Sequence, residues 1–391
     1  MKIVFAAVLA GVALAPSLDS RADGKGSSGW IGTWTASAQP AWEADFPISL
    51  WFPSNFYKHT IRQIARVSIG GSKVRIVVSN EYGKQPLKLG AAHIAVTADE
   101  AAIKPGTDRA LTFSGSPTIT IPPGAPVISD PVDLKVVPLS ELSVSLFFPE
   151  GAPATTMHWD GHQTAYVAAG DRTAETDFKV DLKLTQRIFL TGILVDAAED
   201  ARAIVLFGDS ITDGDGSTLD GNDRWSDTLA ERLHAAGGAP VAVLNQPRAD
   251  TVVLMMGIND IGWPGTGLAP HDPEQTAGDI IAGYRQLIAR AHTDGMKIIG
   301  ATLTPFGGSY VGSPFDCYYT PEKEIIRLAV NDFIRNSNEF DGVFDFDTAV
   351  VDPGKPGYIR AEFDTGDHLH PNVAGYDAMA ASIDLRLLGV K

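Results

Sequence analysis

The feature that most constrains this chain is the alternation of short apolar runs with amphipathic segments, which begins at Ala203 and continues to the C-terminal end. In Ala203-Ile-Val-Leu-Phe-Gly208 an apolar run stops at a glycine and gives way to Asp209-Ser210-Ile-Thr-Asp-Gly214. That pattern predicts a buried parallel strand ending in a tight turn. Similar runs predict strands at 203–208, 241–246, 251–257, 297–303 and 343–347. Helical spacing, such as Trp225, Leu229 and Leu233, predicts helices at 224–236, 275–292, 321–338 and 371–388. Pro321 and Pro371 suit first helical turns. Strands alternating with helices give a doubly wound parallel sheet, with functional groups on loops at the strands' carboxyl ends.

One link does not fit. Only Pro247-Arg-Ala-Asp250 separates the second strand from the third, whereas parallel neighbours need a crossover of about a dozen residues. If the two strands flank the first, the link must return about 20 Å along the strand and about 10 Å sideways. Four residues span at most about 17 Å. The expectation is that the second strand is lost or pairs abnormally. Passing directly from the first helix to the third strand would also risk a left-handed crossover.

Before Ala203 the pattern is different. Lys2 precedes the apolar run Ile3–Ala15, and Ser20-Arg-Ala22 places small residues at a cleavage position, so residues 1–22 read as a signal peptide. The run is too short to span a bilayer. The expected product is secreted or periplasmic, starting near Asp23, with no stable membrane insertion. A length of 391 residues favours two domains. From 30 to 195, short β runs punctuated by glycine and proline predict an all-β sandwich or jelly-roll-like domain. Within it, Ile61, Ala65, Val67 and Ile69 keep one phase, broken by Gln63, and Gly70–Lys73 reads as the turn of a hairpin leading to Val74–Val78. Residues 196–202 read as a hinge.

A net charge of −16 argues against nucleic acid and anionic membrane surfaces as partners. The single cysteine, Cys317, permits no intrachain disulfide and has no histidine nearby in sequence, so it reads as a passive thiol. Trp30, Trp34, Trp42 and Trp51 could stack on sugar rings or simply fill a core. His158 and His162 have a spacing that would suit a metal only on a helix.

Reactive residues gather on three predicted loops: Gly208-Asp-Ser210, Gly257-Ile-Asn259-Asp260 and Asp367-His-Leu-His370. Asp367 and His370 can set an imidazole on Ser210 and a carboxylate on its other nitrogen. Asn259 and the Ser210 backbone N–H can donate to an oxyanion. Singly, Asn259 could be a turn-former, Asp367 a cap and His370 a surface residue; their order at strand ends makes coincidence the weaker reading. The loop Phe306–Asp316 leaves another carboxyl strand end and should shape the pocket.

Gly208-Asp-Ser-Ile-Thr-Asp-Gly214, Gly257-Ile-Asn-Asp260 and Asp367-His-Leu-His370 resemble the first, third and fifth sequence blocks of the SGNH or GDSL hydrolases. With Arg224-Trp225 and the β-rich front domain, the chain is similar to secreted acylhydrolases of the XynE-like branch. The resemblance implies a flavodoxin-like hydrolase domain at 203–391, truncated between about 246 and 251. It also implies a serine esterase with Ser210 as nucleophile, Asp367 and His370 completing the triad, and Ser210 and Asn259 lining the oxyanion hole. No metal or organic cofactor is called for. The substrate would be a small or polysaccharide-linked ester. The family's second block, a glycine N–H that completes the oxyanion hole, is missing. The alternative is an impaired relative that binds carbohydrate or acts at a surface. Gly262 and Gly265 are candidates to supply the lost N–H.

Overall fold

The computed structural model describes residues 29–42, 52–244 and 250–390. The expected signal peptide, Trp51 and the link at 245–249 lie outside these residues.

Alternation at period two builds the N-terminal region, because one side of each strand must be buried. In one antiparallel sheet Trp30–Thr35 pairs with Leu190–Asp196, which pairs with Gly71–Ser79; Pro126–Ile128 and Val132–Val136 also pair with Gly71–Ser79. A second sheet runs Leu182–Leu184, Ala165–Ala169, His59–Arg66, Glu141–Phe148, Ala91–Asp99. Leu142, Val144, Leu146 and Phe148 from this sheet share one buried core with Val74, Ile76 and Val78 from the other. The two sheets therefore form a sandwich.

Gln63, which breaks the apolar phase, is fully buried. Its amide donates to the Ile188 carbonyl at 2.9 Å and accepts from the Ile188 N–H at 2.9 Å, so no polar atom of this exchange is left unpaired. The hairpin expected around Gly70 is not formed: His59–Arg66 and Gly71–Ser79 belong to different sheets. The chain crosses between them through buried Val67 and Ile69. A Cβ at Gly70 would lie 2.4 Å from the Val136 carbonyl oxygen, so glycine permits a close crossing here rather than a turn.

Among the described residues of the C-terminal half, five strands form a wholly parallel sheet. They are β1 (Arg202–Gly208), β2 (Val241–Leu244), β3 (Thr251–Met255), β4 (Lys297–Ala301) and β5 (Gly342–Phe344), in the order β2-β1-β3-β4-β5. The helices are α1 (Ser210–Asp213), α2 (Trp225–Ala236), α3 (Ile258–Gly262), α4 (Ala277–Thr293), α5 (Pro321–Asn336), α6 (Phe346–Val350) and α7 (Val373–Ser382). Pro321 occupies the first turn of α5 under a Thr320 cap. Pro371 instead precedes the Asn372 cap of α7, which is shorter than expected and gives way to a 3-10 turn at Leu385–Leu388.

The expectation that the second strand would be lost or would pair abnormally is overturned. β2 is four residues long and pairs in parallel with β1, while β3 pairs with β1 on its other side. Leu244, the last residue of β2, sits opposite Val205, and Thr251, the first of β3, sits opposite Ile204. The return along the strands is one residue, about 3.3 Å, instead of about 20 Å. Six residues separate Leu244 from Thr251, a span of at most about 24 Å. Asp250 fixes the arrival point: its N–H donates to the Ala203 carbonyl at 2.9 Å and its Oδ2 accepts from the Ala203 N–H at 3.0 Å.

A sheet face left without a helix must be covered by something else. Ala203 and Val205 of β1 and Ala242 and Leu244 of β2 are buried in the same core as the sandwich. Ile204 and Leu206 turn the other way, into the α/β core with Trp225 and Leu229. Ser68 of the sandwich accepts the Val243 N–H at 3.2 Å. The sandwich thus acts as the missing layer over β1 and β2.

Candidate active site

β1 ends at Gly208, where a Cβ would stand 2.0 Å from Thr212 Oγ1; glycine is required for α1 to start so close to the strand. Asp209 caps α1, its Oδ1 accepting the Ile211 N–H at 3.1 Å. Ser210 is the first helical residue, so its N–H has no acceptor within the helix and lies at the positive end of the peptide dipoles. Gly214 closes the turn in the left-handed region at φ 111°.

The loop before α7 brings the other partners. Asp367 Oδ1 accepts the backbone N–H groups of Leu369 and His370, each at 2.9 Å, and the Thr365 hydroxyl at 2.9 Å. Its Oδ2 lies 2.5 Å from His370 Nδ1, and His370 Nε2 lies 2.9 Å from Ser210 Oγ. The carboxylate can only accept, so it favours the proton on Nδ1 and leaves Nε2 to accept a hydrogen bond from the Ser210 hydroxyl. His370 is 8% exposed, and its burial favours the neutral ring. The hydrogen bond and charge of Asp367, then the charges of Asp215 and Asp209, outweigh burial and raise its pKa above the ordinary value. Burial pushes Asp367 upward, but its bonds to His370 hold it well below the usual carboxylate range. Burial pushes Asp209 up to about 6.

Asn259 lies in the first turn of α3, after Gly257 at φ 124°. The hydroxyl of Tyr318, buried and kept neutral by that burial, lies 2.8 Å from Asn259 Oδ1. With its oxygen held, the amide has its nitrogen left as a donor. Of the two glycines considered for the missing N–H, Gly265 already donates to the Ala269 carbonyl at 2.9 Å. Gly262 is packed against the Tyr318 ring, where a Cβ would be 2.2 Å from Cζ. The loop at 306–316 leans on the same turn: Ser309 Oγ donates to the His368 carbonyl at 2.9 Å and the Tyr310 N–H to the Asp367 carbonyl at 3.3 Å. Tyr310, Phe315 and Tyr318 surround Trp263 as an aromatic wall. A hydroxyl beside a base held in one tautomer is an arrangement able to carry acyl transfer.

Residues 206–378 match the GDSL-like Lipase/Acylhydrolase family. The C-terminal half is a GDSL-like acylhydrolase domain. Among solved structures, LAE5, an alpha/beta hydrolase enzyme from the metagenome of Lake Arreo, is 20% identical over 50% of this chain and 97% of its own, with a TM-score of 0.37. A carbohydrate acetylesterase family member from Sinorhizobium meliloti is 18% identical over 48% and 99%, at 0.35. A catalytic mutant of Axe2, an acetylxylan esterase from Geobacillus stearothermophilus, is 18% identical over 49% and 95%, at 0.32. No curated protein matches the chain.

Around the GDSL domain's Ser210 loop the structure gives the two histidines singled out by their spacing partners that the sequence did not mark. His158 and His162 do not share a ligand. His158 Nε2 lies 2.8 Å from Asp213, and its Nδ1 2.8 Å from the Ser37 carbonyl. His162 Nε2 lies 3.3 Å from both Asp160 Oδ2 and Asp215 Oδ1. Asp160, His162 and Asp215 are the one grouping among the described residues whose donor atoms all fall within 4.8 Å of one another. The imidazole between the two carboxylates already ties them together. The contacts to Asp213 and Asp215 cross 53 sequence positions or more, so no local pattern signals them. Arg75 lies over Trp30 and Arg187 over Trp34, while Trp42 packs on Trp159 at 4.4 Å. Cys317 is exposed and free. A cavity of about 90 Å³ between sandwich and GDSL domain is lined by Thr33, His158, Arg187, Asp213 and Arg224 among others, but not by Ser210, Asn259, Asp367 or His370.

Proposed function

We propose that this chain is an exported serine ester hydrolase that attacks a small or polysaccharide-linked ester through an acyl-enzyme. The observation that carries the reading is the unbroken chain Asp367–His370–Ser210, at 2.5 and 2.9 Å. Ser210 Oγ adds to the ester carbonyl as its proton passes to His370 Nε2, and Asp367 stabilises the imidazolium on Nδ1. The Ser210 N–H and Asn259 receive the oxyanion. His370 then protonates the leaving alcohol, and a water activated by the same ring releases the acid. Strand order β2-β1-β3-β4-β5 supports a flavodoxin-like doubly wound domain over 203–391, with residues 30–195 as an accessory sandwich. We further read residues 1–22 as a signal peptide removed on export.

The test is hydrolysis of a simple aryl acetate, with the acyl-enzyme trapped and weighed by mass spectrometry. Ser210→Ala should abolish turnover and the trapped adduct while leaving the fold intact. Activity that survives Ser210→Ala, or a wild-type chain with no turnover on any aryl ester, would refute the esterase reading. The second outcome would favour a binding protein instead. Export is tested separately: intact mass of the secreted protein should lack the first twenty or so residues.

A further inference from the structure

The sandwich does more than cover β1 and β2, because its loop at 158–164 lies along the loop that follows the nucleophile. His158 holds Asp213 at 2.8 Å. Arg224 Nη2 donates to the Gly161 carbonyl at 2.6 Å. The Thr164 hydroxyl donates to Asp220 at 2.6 Å, and the Asp220 N–H returns to the His162 carbonyl at 3.1 Å. Between these contacts sits Asp215. Its N–H donates to the Ser210 carbonyl at 2.9 Å, and its own carbonyl accepts the Tyr376 hydroxyl at 2.5 Å. Gly216, at φ 92°, lets the backbone pass where a Cβ would be 2.5 Å from the Pro371 carbonyl oxygen. The backbone of Asp215 is thus pinned from both sides. Its carboxylate bridges two rings: Oδ1 lies 3.3 Å from His162 Nε2, and Oδ2 lies 3.5 Å from His370 Nε2.

We propose that Asp215, steered by His162 and Asp160 of the sandwich, is a positioning residue for the protonated form of His370, so that the accessory domain takes part in setting the catalytic base. The inference rests on the esterase reading above. In the resting site His370 Nε2 accepts from Ser210. Once the ring has taken the serine proton, Nε2 becomes a donor, and the nearest carboxylate on that side is Asp215. A negative charge there stabilises the imidazolium and keeps its N–H aimed into the site until the leaving alcohol takes the proton. The charged groups acting on His370 are Asp367 on its own loop, Asp215 on the loop after α1 and Asp209 at the end of β1. Behind Asp215 stand Asp160 and His162, and two residues before it Asp213 pairs with His158 and feels the charge of Arg224. His162 is the link that a sequence-local triad lacks.

The experiment follows the His370 ring by NMR titration of histidine-labelled protein, together with the pH profile of kcat/KM on an aryl acetate. Asp215→Asn should lower the His370 pKa and move the acid limb to lower pH, by about half a unit for a carboxylate more than a third exposed. His162→Ala should move both in the same direction by less. His162→Gln, which keeps a donor near the place of Nε2, should restore them. A purely structural role would lower stability without moving the titration. An unmoved His370 titration in Asp215→Asn overturns the inference; should that variant not fold, an unmoved titration in His162→Ala does so. Because the titration needs no turnover, it separates failure of this coupling from failure of the esterase reading, which Ser210→Ala decides.

Discussion

In the proposed mechanism His370 carries two opposed demands, since it must be neutral to accept the serine proton and stable once charged. Burial favours the neutral ring, while Asp367, Asp215 and Asp209 favour the charged one and prevail. The proposed mechanism requires the neutral form, so turnover should fall as pH drops through a value above the ordinary histidine pKa of about 6.5. A pH profile whose acid limb lies below that value would contradict the arrangement. His370→Ala should lose orders of magnitude in kcat with little change in melting temperature. Asn259 depends similarly on a neighbour. Without the Tyr318 hydroxyl its amide can rotate, so Tyr318→Phe should lower kcat about tenfold with KM nearly unchanged, part of the 10²–10³ typical of losing an oxyanion donor. Equal kcat in the two proteins would show that Tyr318 does not orient the amide. Ser210 and Asn259 stood out because each follows a strand end within a short motif, and Asp367 and His370 because they share a short motif just before the last helix. Tyr318 and Asp215 did not, and His162 stood out only by its spacing to His158, because what matters about them is contact across distant segments.

At the scale of elements, the long ones announced themselves. Thr276 caps α4 with Asp279 answering from the first turn, and Thr320 with Pro321 opens α5, as side-chain chemistry at helix starts predicts. The five-residue helices α3 and α6 were missed because one turn shows no period. The false hairpin at Gly70 has a different cause: period two reports which side of a strand is buried, but not which sheet the strand joins. The turn at Gly208 is where element and site meet. Gly208→Ala forces a methyl into Thr212, so α1 must move away from β1 and carry Ser210 with it. The expected cost is about 1–3 kcal/mol in chemical denaturation, with a loss in kcat beyond what stability alone explains. A variant as stable and active as the parent would mean that the turn absorbs the methyl elsewhere.

For the whole molecule, the short link between β2 and β3 is answered by stagger and by the sandwich. The stagger shortens the return path, and the sandwich buries the face that a crossover helix would otherwise cover. Leu244→Ala should therefore cost about 2–5 kcal/mol, as for a core leucine, although Leu244 belongs to an edge strand. What the sandwich does not supply is the second-block glycine N–H. Of the two candidate glycines after Asn259, Gly265 has its N–H engaged, and Gly262 packs against the Tyr318 ring. Two donors, Ser210 N–H and Asn259, would then carry the oxyanion, and turnover should sit about 10²–10³ below that of a complete site. Inserting a Gly-containing loop and helix of the family type between Gln246 and Pro247 tests this. Activity and stability should part company: aryl-ester turnover should rise toward the complete value, whereas the melting temperature should hold or fall, because the face awaiting a helix is already occupied. Unchanged turnover would show that the gap is catalytically harmless. A large rise in melting temperature would show that the sandwich covers β1 and β2 less well than their burial implies.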